Sequence, residues 1–116
     1  MKKLIALFAL IGAISAQAQE TPFYTSTESN IYRVGQTTRS FNNGPVMTTW
    51  MKLVSKYQDK YSLDLVQVHC PTGMYQVLKH TEYVNGGYLK SSNENPTGWV
   101  YATPGTLGDS LKYLCQ

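Results

Sequence analysis

Cysteine is scarce in this chain, with only Cys70 and Cys115 among 116 residues. Even together with His69 and His80 they make no recognised ligand spacing, so no metal site is expected. Charged residues are few, at 15% of the chain, and no basic run is present. Lys52, Lys56 and Lys60 recur at spacings typical of a solvated face, which excludes nucleic acid as a partner on charge grounds. No Gly-rich phosphate loop occurs, so no cofactor is expected. The acids Glu20, Glu28, Asp59, Asp64, Glu82, Glu94 and Asp109 form no paired motif for acid-base work. Adjacent His69 and Cys70 would point to opposite faces of a strand and cannot form a dyad. His69 and His80 could approach each other across a hairpin, where such a pair is more often a packing feature than a catalytic one. The chain is read as a non-enzyme.

Long apolar runs are missing except near the start. Residues 4–14 form one, flanked by Lys2-Lys3 and by the small-x-small site Ala16-Gln17-Ala18. These are the parts of a secretory signal over residues 1–18, with cleavage before Gln19. The run is shorter than the roughly 20 residues that span a bilayer, so no membrane span is expected. The first cysteine is Cys70, far from the signal, so a lipid anchor is not expected either. The signal is bacterial in style and implies the periplasm, the cell surface or the medium.

Without the signal, residues 19–116 make one small domain. Lys2 and Lys3 leave with the signal while all seven acids stay, so the formal charge falls from +3 to +1. In an oxidising compartment two cysteines in so small a domain imply a Cys70–Cys115 disulfide. What is plentiful is tyrosine, nine residues, beside Trp50 and Trp99. Such side chains suit half-buried sheet positions and binding surfaces alike.

Residues 19–29, polar and with Pro22, read as a loose lead-in. Ile31, Tyr32, Arg33 and Val34 make a short strand closed by Gly35, and 37–44 is turn-rich. Residues 46–57 alternate as a strand, with Trp50 expected as a core anchor. After a turn at 58–60, a strand over 61–70 places Val66, Val68 and Cys70 on one face and Leu63, Leu65, Gln67 and His69 on the other. Apolar residues on both faces imply either burial on both sides or a bulge near Leu65-Val66. Pro71-Thr72-Gly73 turns the chain into a strand over 74–84. Asn85-Gly86-Gly87 is a hairpin turn into 88–91. A loop over 92–98 precedes a last strand over 99–103, which Pro104-Gly105 ends.

Thr106 and Asp109 then form a shortened capping box. Leu107, Leu111, Leu114 and Cys115 fall on one helical stripe. The fold class expected is α+β, mostly β: an antiparallel meander of five or six strands with one short C-terminal helix pinned by the disulfide.

Trp99, Pro104-Gly105-Thr106, Gly108-Asp109, Leu111 and Cys115, with Trp50, Cys70 and Tyr83 upstream, resemble the bacterial surface-adhesin protein E family over about residues 31–115. Thr106 stands where that family usually has Ser and Asp109 where it usually has Glu; both swaps keep the capping chemistry. The resemblance implies a small antiparallel sheet with a disulfide-tied C-terminal helix and, for the family's namesake, a dimer. The namesake is a lipid-anchored surface adhesin that binds host proteins such as laminin, vitronectin and plasminogen. This sequence departs from it in lacking a lipidation cysteine.

Two functions follow. One is an exported protein-binding module, with Tyr83 and Tyr88 beside the 85–87 turn as the candidate surface. The other is a periplasmic envelope protein or inhibitor of an enzyme such as a lysozyme, acting through the loop over 92–98. A homodimer would form through an unpaired edge at 31–34.

Overall fold

Short turns join each strand to the next, and the computed structural model accordingly folds as an antiparallel meander. It describes residues 19–104 and 106–116. The expected signal, Gly105 and the Leu107 side chain lie outside the described residues.

The strands are β1 (Glu20–Thr25), β2 (Ser29–Phe41), β3 (Pro45–Ser55), β4 (Lys60–His69), β5 (Met74–Val84) and β6 (Tyr88–Asn93). They lie side by side in chain order. A two-residue β7 (Val100–Tyr101) pairs with the start of β5. The expected turns hold for a local reason: Asn43 and Asn85 adopt φ of 54° and 51°, and glycines follow each. At Gly44, with φ 127°, a side chain would also strike Pro71.

Two expectations at the N-terminal end are corrected. The supposed lead-in is strand β1, because an edge strand needs only one bonded side and tolerates Pro22. Consequently residues 31–34 lie between β1 and β3 and offer no free edge. Gly35 does not end the strand. At φ 74° it sits within a bulge between Val34 and Thr38, after which β2 runs on to Phe41.

On β4 the pairing shifts register at Leu65-Val66, as one reading anticipated, but the extra residue is Leu78 on β5. The alternation of β4 is unbroken: Asp64, Val66 and Val68 are buried while Leu63 and Leu65 are half-buried. Both-sided burial is therefore not the answer.

The buried face carries Ile31, Met51, Val66 and Val68 beneath Leu111 and Leu114. These leucines come from a 3-10 helix (Leu111–Cys115) that continues helix α1 (Leu107–Ser110) and rests on β3 and β4. Tightening to three residues per turn aligns Leu111 with Leu114 on the core side. The Thr106 hydroxyl accepts from the Asp109 N–H at 3.4 Å and donates to the Thr103 carbonyl at 2.6 Å. The Asp109 carboxylate meets Lys112 at 3.5 Å. Gly108 presses on the Tyr75 ring so closely that any side chain there would overlap it. The Cys70–Cys115 disulfide joins the end of the helix to the end of β4, closing a 45-residue separation. In the chain-entropy view that is worth on the order of 4 kcal/mol. Among the described residues no helix is long and apolar enough to cross a membrane.

Candidate binding face

Because α1 and the 3-10 helix lie on one side of the sheet, no described element covers the middle rows of the other side, although Val46 is buried at its far end, where Trp99 stands against His69. The strand register places the residues of that open side in rows. Val34, Trp50, Leu65 and Lys79 make one row; Tyr32, Lys52, Leu63 and Thr81 make the next. Asn30, Val54, Tyr61, Tyr83 and Leu89 make a third. Trp50 is 37% exposed, so the expected core anchor belongs to this open side. Its row neighbours Val34 and Leu65 are half-buried.

Tyr61 and Tyr83 stack at 4.8 Å between ring centroids, and Lys52 Nζ lies 4.7 Å above the Tyr61 ring. The two cations of the face are matched by carboxylates, Lys52 by Glu20 at 2.9 Å and Lys79 by Glu94 at 3.6 Å. A neutral polar row follows, in which the Gln76 amide donates to Gln67 at 2.8 Å and the Gln67 amide to Thr48 at 3.1 Å. The face thus mixes apolar and aromatic side chains with two compensated cations, Lys52 on its central strand and Lys79 on β5.

Tyr83 and Tyr88 are not brought together. Tyr83 pairs with Leu89 on the open side, whereas Tyr88 pairs with Val84 and projects from the opposite side, 75% exposed. The loop expected over 92–98 is also shorter than its sequence implies. Ser92 and Asn93 belong to β6, and Thr97 is tied to Val77 by its N–H at 2.9 Å and its hydroxyl at 3.0 Å. Glu94 pairs with Lys79 of β5 at 3.6 Å, which leaves Asn95 and Pro96 as the tip of the loop.

The two histidines lie on opposite sides of the sheet. His69 shares a row with Val46 and Met74; His80 pairs with Asp64 on the helix side. The His80 Nδ1 to Asp64 Oδ1 distance is 2.5 Å. Asp64 is buried, and burial pushes its carboxyl above the ordinary value near 3.8, against the opposing pull of His80. Sequence reasoning missed this pair. The signal was available, since Asp64 has the parity of Val66 and Val68 and had to enter the same core.

Among the described residues no three metal-binding side chains gather. Comparison with protein-family models, with curated proteins and with solved structures finds no match. The functional reading therefore rests on the chain's own residues.

Proposed function

We propose that this chain is an exported protein-binding module whose contact surface is the open face around Trp50, Leu63, Leu65 and Tyr83. The observation that carries the reading is the uncovered apolar side of the sheet. Four strand spacings of about 4.8 Å by six residues of about 3.3 Å give roughly 400 Å² of patch. That is the area of sheet the rows occupy, of which Trp50 and Leu89 are the exposed large apolar side chains, and a patch of that size on a monomer is often functional. With Lys52 and Lys79 already matched by glutamates, the partner it fits is a protein with an apolar, uncharged contact centre. Stacked Tyr61 and Tyr83 supply rigid aromatic anchors at low entropic cost. Export is supported by the signal-like residues 1–18 and by the disulfide.

The resemblance to surface-adhesin protein E points to host matrix and plasma proteins as the partner class. The inhibitor alternative requires a loop able to enter a cleft, and residues 94–96 offer little reach for that. The test combines location with binding. Protease treatment of intact producing cells reports whether the mature chain is displayed, and the purified chain is then measured against laminin, vitronectin and plasminogen. The proposal expects display or release and binding to at least one, with Leu65→Lys weakening it about tenfold or more. A chain protected inside the periplasm that binds none of the three would refute the host-protein reading, and retained binding by Leu65→Lys would refute the face.

A further inference from the structure

Where β2 turns into β3 and β4 turns into β5, the two turns and the segment before β7 line an open pocket of about 340 Å³. It is lined by Asn42, Asn43, His69, Thr72, Met74 and Trp99. We propose that this pocket is a binding site for a neutral saccharide, one or two rings in size.

The walls are held before any ligand arrives. His69 Nε2 lies 2.8 Å from the Asn42 carbonyl and its Nδ1 lies 2.7 Å from the Thr72 hydroxyl. The carbonyl can only accept, so Nε2 carries a hydrogen, and the Thr72 hydroxyl serves Nδ1, so the ring bridges the two turns. With both ring nitrogens engaged, His69 serves as a wall and not as an acid, base or ligand. The Cys70 N–H donates to the Pro45 carbonyl at 2.9 Å, which ties the two turns together, and the Gly73 N–H to the His69 carbonyl at 2.8 Å, which closes the second turn on itself. Trp99 stands edge-on to His69 at 6.1 Å between centroids and is half-buried. It lies between Gly98, with φ 80°, and β7, whose pairing with Met74 and Tyr75 anchors it.

The lining selects the ligand class. Apart from His69, whose two ring nitrogens are already engaged, none of its side chains is ionisable, so an ionised ligand would lose hydration without gaining a matched counter-charge. A purely apolar ligand would cover the Asn43 amide, carried on a positive-φ turn residue, without offering it a partner. An extended peptide would need a free strand edge, and here the walls are turns. A pyranose ring satisfies all of these conditions. Its C–H face lies against Trp99 and Met74 while its hydroxyls meet amide and hydroxyl groups. The volume lies at the low end of ligand pockets. Trp50, on the open face, takes no part in the site, so the inference stands apart from the protein-binding reading.

The test is a titration of the ¹⁵N-labelled mature chain with methyl α-mannoside, N-acetyllactosamine and N,N′-diacetylchitobiose, with glucuronate as the charged control. Probes are taken to about 20 mM, where a millimolar site is filled. The expected result is a saturable shift of the Trp99 indole N–H with at least one neutral sugar and none with glucuronate. Trp99→Ala and Asn43→Asp should each weaken binding about tenfold, while Trp50→Ala leaves it unchanged. No shift with any neutral sugar on the folded wild-type chain would overturn the assignment. So would equal binding of glucuronate, or binding that survives both Asn43→Asp and Trp99→Ala.

Discussion

Trp50 and Met51 are consecutive in β3 and serve opposite sides of the sheet: Met51 is fully buried among Ile31, Val66 and Leu111, while Trp50 stands 37% exposed on the uncovered side. Size and hydrophobicity alone would have buried the tryptophan first. Strand parity and the position of the 3-10 helix decide otherwise. Met51→Ala should therefore cost about 2–5 kcal/mol in urea unfolding. Trp50→Thr should change stability by less than about 1 kcal/mol, because a half-exposed sheet position accepts a β-former. Equal losses would mean that the open side is covered.

The disulfide should matter to the helix before it matters to the sheet. Cys70 directly follows β4 and Cys115 ends the 3-10 helix, whose buried anchors are Leu111 and Leu114. Replacing both cysteines by Ser should lower stability by about 3–4 kcal/mol. Amide exchange of residues 111–115 should accelerate more than that of β3 and β4. An unchanged melting midpoint under oxidising conditions would contradict the role given to the bond.

Gly108 lies where α1 touches the Tyr75 ring. Gly108→Ala should destabilise the chain by about 1–3 kcal/mol despite the better helix propensity of alanine, because the ring must move out of a packed site. A stabilising Gly108→Ala, measured by thermal unfolding, would mean that the helix sits farther from the sheet.

Asp64 gives a pH prediction with a definite sign. Burial raises its carboxyl above the ordinary value near 3.8, so the folded state holds that proton more tightly than the unfolded state does. Its contribution is most favourable below that ordinary value and is lost as pH rises through the raised one. Asp64→Asn keeps a polar partner for His80 without the ionisation. Its stability relative to wild type should climb as pH rises from about 4. A difference that stays flat across that range would show that Asp64 titrates as it does in water.

Much of the fold was legible because its signals are local. Asn85-Gly86-Gly87 and Pro71-Thr72-Gly73 demand turns, residues 46–57 and 61–70 alternate, and two cysteines in a small domain behind a signal-like start invite pairing. What escaped depends on neighbours. β1 buries only Phe23 and Tyr24, and those in part, and a bulge after Pro22 breaks its alternation, so it carries no periodic signal. Gly35 reads as a stop, although a positive-φ residue serves equally well in a bulge. The candidate face escaped for a third reason. Both sides of β3 and β4 carry apolar residues, and only the docking of Leu111 and Leu114 decides which side is closed. The pairing of Asp64 with His80 needed the β4 and β5 register, and the distance between His69 and His80 followed from it.

The most direct test of the central claim is site-specific photo-crosslinking in the producing cells, with benzoylphenylalanine at Trp50 or Leu65 and, as the control, at exposed Lys112 on the helix side. The account predicts one discrete protein adduct from Trp50 and Leu65, its loss when Leu63→Lys is added, and none from Lys112. Absence of any adduct from the open face, or the same adduct from Lys112, would contradict it.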